Sequence, residues 1–599
     1  MAFEQQEQAP ENKPSSNMQT SQADQVADLA SNPQDPALAS TTSEDHSSKM
    51  EEVIEKTKSE EDDDDDIQAP EILSAKRFIP IYIGLLLGIF IISLDNTVIA
   101  TAQVDIVTDL GGENMIAWLP TTFLIGQGAF ALFWGQVLAS FASKHILLFN
   151  VFLFEVGSLV SALAPNMGAV LAGRTISGAG AAGMMSAAVQ ILAETTTLEQ
   201  RAVYIGMLGS LFSVSMIAGP LIGGALTKVS WRWVFWINLP IGGVAFLIIF
   251  LLSPTTRPLG SSKTRITPLL DRIKKIDIVG SALLAVLMCA VIIPIQESSK
   301  TGWSSYKVWI PICFSLLIAL TFYGWIRFNG EERSLFPAAL LKDLNLVGCV
   351  MTSFLTFWVI IQFMYLIPYY YQTVRGHTPT KSGVDMLALM ITVGICSIVG
   401  GVLAKKSHHY FPQMAFFPLL GAVGAGISYM TSVTTGTGLQ IGSQILLGLG
   451  MGMIIQGPLL TVQANTDKRL ISKATAFAIY AQRFGGGVGS SVSSAILAAQ
   501  LPGAIRAHLP AGVDPIAYEH IEPSAIYGLP SGPTRDSMLA ALTSVIDRIY
   551  IVGVPVFVVI SLIVISTLKI TNIETRKVTR KRDIVRRLVG SQRASSSPA

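Results

Sequence analysis

Fourteen long hydrophobic blocks, the first at 80–101 and the last at 549–568, constrain this 599-residue chain more than any other feature. Each is near or above the roughly 20 residues that carry a helix across a bilayer. Their apolar residues fill whole blocks, where a soluble amphipathic helix would show a one-sided stripe. Half of the residues are hydrophobic and 14% are charged, against the roughly 25% charged residues of an average soluble domain. Within lipid a segment must satisfy its own backbone N–H and C=O groups, so blocks of this length fold as helices. The chain is therefore expected to be an all-α polytopic membrane protein.

Lys and Arg set the orientation. With the N-terminus inside, the inner segments from Lys76 onward hold about 25 of them and the outer loops about 9, the bias expected of a cytoplasmic side. An even number of spans brings the C-terminus back to that side. The net charge of +1 hides this asymmetry. Cys289, Cys313, Cys349 and Cys396 all fall in predicted spans, which leaves no loop cysteine for a disulfide framework. The polar start and a first span too long for an h-region predict no cleavable signal peptide.

The spans group as six, two and six. Residues 1–75 are rich in Gln, Ser, Asp, Glu and Pro, with an acidic run from Glu60 to Asp66, and are expected to be a disordered acidic cytoplasmic tail. A first six-span bundle covers 76–253, and a basic loop with two inserted spans covers 254–345. A second six-span bundle covers 346–568. The tail 569–599, with nine Lys/Arg from Lys569 to Arg593, is expected to be cytoplasmic. The two sixes show a weak repeat. Aligning RTISGAGAAG from Arg174 with QILLGLGMGM from Gln444 puts Gly178 on Gly448, Gly180 on Gly450 and Gln444 where Arg174 stands. Related halves are what a rocking-bundle transporter is built from.

Few ionisable residues lie well inside a span. They are Asp95, Glu155, Arg174 and Arg483. Such groups face a cavity or a partner, because a charge at the bilayer centre costs at least about 2.5 kcal/mol. If the first and fourth spans meet across a central cavity, Asp95 and Arg174 pair there, and the carboxylate becomes a proton-coupling site or a static helix clamp. Glu155 is the alternative proton site, or else a packing residue. Arg483 could attract an anionic substrate or pair with Glu155, and Gln444, Gln456 and Gln463 could line a polar path. Tyr369, Tyr370 and Tyr371 read as interfacial anchors. In the fifth span, GMLGSLFSVSMIAGPLIGG from Gly206 reads as a kinked, closely packed helix, since glycine admits a neighbouring backbone and proline removes a hydrogen bond. No P-loop, HExxH, paired CxxC or G-x-S-x-G pattern occurs, so neither ATP-driven pumping nor enzyme chemistry is expected.

These motifs together resemble the fourteen-span drug:proton antiporter branch of the major facilitator superfamily, close in flavour to fungal efflux pumps for toxins and secondary metabolites. The resemblance rests on LDNTVIATA in span one, FEVGS and APN around span three, GRTISGAGAAG in span four, WRWVFWINLPIGG from Trp231 and YYYQTVRGHTPTKSG from Tyr369. The antiporter pattern G-x8-G-x3-G-P-x2-G-G falls on Gly206, Gly219, Pro220, Gly223 and Gly224, with Ser215 in place of the second glycine. The family implies two six-helix bundles around two inserted central helices, alternating access, and proton flow driving export. It places the coupling on Asp95 and Arg174. The loop after span two departs from the family: GQVLASFASK, Gly135 to Lys144, has Ala139, Ser140 and Ser143 where charged latch residues are expected. The latch is then weak or built otherwise. The expected function is plasma-membrane efflux of small hydrophobic organic compounds, with the proton as coupling ion, the bilayer as surroundings, and no cofactor, metal, ATP site or nucleic acid. An importer, such as a siderophore–iron symporter, is the alternative, and a non-transporting sensor a third reading.

Overall fold

The structure is a computed structural model that describes residues 72–111, 118–255, 268–274, 276–333, 335, 343–407, 410–433, 435–466, 470–510, 513, 526 and 529–567. The predicted tail 1–75 up to residue 71, the tail 569–599 and the basic run Arg257–Arg265 lie outside these residues. All described residues belong to one compact unit.

The first set of helices is α1 (Ala75–Leu110), α2 (Trp118–Ser140), α3 (Ser143–Ala162), α4 (Met167–Thr195) and α5 (Leu198–Thr227), completed by the pair α6 (Trp233–Trp236) and α7 (Asn238–Leu252). The short α8 (Leu269–Lys274) leads to the inserted helices α9 (Ile278–Thr301) and α10 (Tyr306–Arg333). The second set begins with α11 (Leu344–Thr373), α12 (Pro379–Asp385), α13 (Leu387–Ser407) and α14 (Phe411–Tyr429). It continues with α15 (Thr437–Ile454), α16 (Gly457–Asn465), α17 (Ile471–His508) and α18 (Pro533–Thr567). Among the described residues, 13 helical stretches are long and apolar enough to cross a membrane. The remaining predicted block, 202–227, is α5, a helix of 30 residues.

Within the first set α4 packs against α2 and α3, and α1 against α5 and α7. Within the second, α15 packs against α13 and α14, and α11 against α17 and α18. The sets meet along α2 with α17 and α5 with α13, and α9 lies beside α2 and α17 with α10 outside it.

Glycines decide how closely these helices come. A Cβ at Gly178 would strike the Phe123 carbonyl of α2, and one at Gly180 the Phe154 backbone of α3. Their repeat counterparts behave alike: Gly448 meets Thr392 of α13, and Gly450 meets the Gly421 backbone of α14. Since α13 and α14 are second and third in their set, as α2 and α3 are in theirs, the sequence repeat is a repeat of packing.

At one end, Asp277 ties the inserted helices to the first set. It caps α9 by accepting from Gly280 N at 2.7 Å, from Trp325 Nε1 of α10 at 2.9 Å and from Leu335 N at 3.2 Å. Its own N–H donates to Gln136 Oε1 of α2 at 2.6 Å. At the opposite end Asp109 accepts from Trp231 Nε1 and Arg232 Nη1, each at 2.9 Å. Those hydrogen bonds, Trp231's first, hold the Asp109 carboxyl below the usual carboxylate range.

Asp277→Ala removes a buried carboxylate that answers three N–H groups, each such bond being worth about 1.5–3 kcal/mol. The variant in detergent should melt several degrees lower and be cut first by protease within 254–345. An unchanged melting temperature would show that α9 and α10 are held by lipid-facing packing alone.

Candidate functional site

A cavity lies between the two sets. Its volume is ≈ 180 Å³, against the roughly 10–15 Å³ that admits one water on the same measure. An organic molecule fits. Five of its lining residues are methionines: Met185, Met364, Met386, Met390 and Met451. Unbranched, polarisable Met side chains repack around different shapes. Polar groups are few. Asn96 and Thr97 come from α1, Tyr365 and Gln372 from α11, and Gln456, Gln482 and Arg483 from the rest of the second set.

The glycine cluster of α17 places Arg483. A Cβ at Gly485 or Gly489 would collide with the Phe354 or Trp358 carbonyl of α11, and one at Gly487 with Ile292 of α9. The bare backbone lets α17 settle against both helices, with Arg483 on the cavity wall. Arg483 is 6% exposed, its guanidinium carbon lies 5.7 Å from the Phe357 ring centroid, and its Nε meets no acceptor. It forms no ion pair among the described residues.

Asp95 and Arg174 are brought together as an ion pair, each 1% exposed. Asn238 Nδ2 donates to Asp95 Oδ1 at 3.0 Å and to Ser158 Oγ at 3.2 Å. Arg174 Nε donates to the Leu119 carbonyl at 3.3 Å, and its guanidinium carbon lies 4.5 Å from the Phe123 ring centroid. Arg174 Nη2 and Asn238 Oδ1 stay unpartnered. The pair does not sit across the central cavity, contrary to the expectation from sequence. Ser93, Asn96 and Thr97 share the cavity-facing side of α1, and Asp95 points to the interior of the first set, as the 3.6-residue period requires. Glu155 also belongs to that interior. Both its carboxyl oxygens are buried without a partner, against Gly242 of α7, so the alternative pairing with Arg483 is absent.

The α5 motif is a two-sided contact. Gly206 passes close to the Ser397 backbone of α13, and Ser397 Oγ donates to the Gly206 carbonyl at 3.0 Å. Gly219 lies against Thr97 of α1, whose Oγ1 donates to the Ser215 carbonyl at 3.0 Å. Gly223 is buried, a Cβ at Gly224 would meet nothing, and the Pro220 side chain lies outside the described residues.

At the face where α1 begins, cross-set hydrogen bonds shut the cavity. Arg201 Nη1 donates to Gln463 Oε1 at 3.1 Å, and Ser472 Oγ to Gln190 Oε1 at 3.0 Å. Gln190 in turn donates to Glu194 Oε1 at 3.1 Å, which also accepts from Ser143 Oγ at 2.7 Å. Ser143, the first residue of α3, thus links the altered latch loop to α17 through Glu194 and Gln190. Gly135 packs against Ala476, and Lys144 Nζ donates to the Ser253 carbonyl at 2.6 Å. The latch is built otherwise, from serine and amide hydrogen bonds on one carboxylate. Bonds to the Glu194 carboxylate are worth about 1.5–3 kcal/mol each, and the neutral Ser472–Gln190 bond about 0.5–1.5 kcal/mol.

Two predicted path residues lie elsewhere. Gln444 donates to Tyr371 Oη and the Asp385 carbonyl, both at 3.0 Å, joining α15 to α11 and α12. Gln463 is part of the closure. Tyr370 and Tyr371 are buried inside the second set, 3% and 4% exposed, where interfacial anchors were expected. Tyr370 donates to the Ser432 carbonyl at 3.0 Å. Tyr365, the cavity methionines and Glu194 were missed by sequence reasoning; a carboxylate at a span end facing a serine-substituted loop was the available signal for Glu194.

A membrane bundle of two packing-related sets around a closable central cavity defines a transporter architecture. Residues 85–490 match the profile of the Major Facilitator Superfamily, and the chain belongs to that family. It is 33% identical over 423 residues to the MFS-type transporter phomT of Diaporthe leptostromiformis, covering 70% of this chain and 71% of that one. It is 30% identical over 470 residues to the efflux pump aunC of Aspergillus niger, covering 78% and 82%, and 32% identical over 418 residues to the efflux pump roqT of Penicillium rubens, covering 69% and 76%. In fold it is similar to the human organic anion transporter MFSD10, with a TM-score of 0.52 at 13% identity over 81% of this chain and 100% of that one. The proton:xylose symporter XylE gives a TM-score of 0.52 at 13% identity over 84% and 99%.

Glu194→Ala should free Ser143 and Gln190 and loosen the closed face. Spin labels on the inner ends of α3 and α17 should then show a longer separation populated. An unchanged distance distribution would mean that Glu194 takes no part in closure.

Proposed function

We propose that the chain is a proton-coupled efflux transporter for small, largely apolar organic compounds. The observation that carries this reading is the methionine-rich cavity between the two sets, shut at one face by exchangeable hydrogen bonds. The relatives named efflux pumps support the direction of transport. Residues 76–253 and 346–568 act as the two moving bundles, with 254–345 inserted and both tails cytoplasmic. The Lys/Arg asymmetry supports that orientation, and the plasma membrane is the location proposed with it. Transport without chemistry on the substrate is part of this proposal, in line with the relatives named transporters.

Asp95 carries the proton in this scheme. As an anion it holds Arg174; when protonated it releases the guanidinium, whose Nη2 already lacks a partner. Because α1 carries Asp95 on one side and Asn96 and Thr97 on the other, a shift of the pair changes the cavity wall. Glu155, without a partner beside the same network, is the second stop for the proton.

Cells expressing the chain and preloaded with a panel of hydrophobic toxins should export some of them, and a protonophore should abolish this. Asp95→Asn should lower protonophore-sensitive export at least about tenfold at unchanged membrane abundance. Proton-driven accumulation of compounds inside the cells would overturn export in favour of import.

A further inference from the structure

We infer that the cavity is built for amphipathic organic acids, molecules with an apolar body and one anionic oxygen group that docks on Arg483. This rests on the export reading above and narrows its substrate class.

The argument starts from two buried arginines treated differently. Arg174 is met by Asp95, so the protein neutralises that charge itself. Arg483 is as thoroughly buried, yet no described carboxylate reaches it, and its Nε is left without an acceptor. Guanidinium stays protonated in proteins. A cation facing a cavity whose other lining residues are neutral leaves room for an anion brought by a ligand. The surroundings suit that group. Gln482, next to Arg483 on α17, and Tyr365 of α11 also line the cavity and carry hydrogen-bond donors, and Gln456 lines it at its closed end. Among the described residues no aspartate or glutamate lines the cavity to repel it. The methionines, with Phe357 and the isoleucines of α11, cover an apolar body of varied shape.

The rest of the fold protects this arrangement. Gly485, Gly486 and Gly489 of α17 leave out the side chains that would hold Arg483 away from α11, and Gly487 does the same toward α9. Gln444, at the repeat position of Arg174, is neutral and engaged with Tyr371 and the Asp385 carbonyl, so that position carries no counterpart of the Asp95–Arg174 pair.

The test uses the full-length protein in lipid nanodiscs and two probes that share one aromatic scaffold. These are the anionic 1-anilinonaphthalene-8-sulfonate and the uncharged N-phenyl-1-naphthylamine, each measured above empty discs. The wild type should bind both and prefer the sulfonate. Arg483→Gln should weaken sulfonate binding about tenfold or more while changing the uncharged probe by less than about twofold. Arg483→Lys, which keeps the charge, should recover part of the preference. Equal losses of both probes in both variants would mark Arg483 as a structural residue and overturn the inference. So would an unchanged preference in Arg483→Gln, or no preference in the wild type. A wild type that binds neither probe would overturn the cavity reading itself, and this inference with it.

Discussion

Direct backbone contact between helices at glycine positions is the constraint on which the rest of the structure depends. Lipid is as apolar as any leucine, so no hydrophobic force gathers the helices once they are in the bilayer. Association comes from close packing and from polar contacts inside the bundle. α4 meets α2 and α3 through Gly178 and Gly180, α15 meets α13 and α14 through Gly448 and Gly450, and α17 meets α11 through Gly485 and Gly489. Each omitted side chain lets two backbones approach until dispersion contacts are made along a whole turn. The functional groups follow from this. Arg174 reaches Asp95 because α4 lies deep among α1, α2 and α3, and Arg483 reaches the cavity because α17 is flush with α11.

The two buried arginines then divide the electrostatics between the sets. In the first, charge is neutralised within the protein, with Asn238 and Ser158 orienting the carboxylate and Phe123 facing the guanidinium. In the second, Arg483, which has no ion pair among the described residues, faces a largely apolar cavity. An uncompensated buried charge is unfavourable by several kcal/mol, a cost that a bound partner relieves. One set thus holds an ion-paired buried arginine and the other a buried arginine with no ion pair among the described residues.

Closure of the cavity is mechanically modest. The two cross-set hydrogen bonds described at that face are together worth a few kcal/mol, within the range that a ligand shifts by differential binding. A charged latch would hold harder. In the serine-substituted loop, Ser143 donates to Glu194 where the family pattern places charged residues.

Much was legible in the chain itself. The number, order and length of the spans follow from matching apolar runs to the thickness of a bilayer, and the internal repeat shows because glycine is the residue that such contacts demand. The buried charges were conspicuous for the same reason: few ionisable residues lie in these spans. What a linear pattern could not supply was direction. Asp95 and Asn96 are neighbours in sequence yet about 100° apart around α1, one facing into the set and the other into the cavity. Gln444 and Gln463 look like pore-lining amides until helix packing turns one onto Tyr371 and the other onto Arg201. Hydropathy and residue size, which are local, thus determined that the chain is a fourteen-block helical membrane protein with two related halves. Only the tertiary structure decided which charges pair, which one stays open and where the cavity closes, because those depend on the rotation of each helix about its own axis against neighbours far away in sequence.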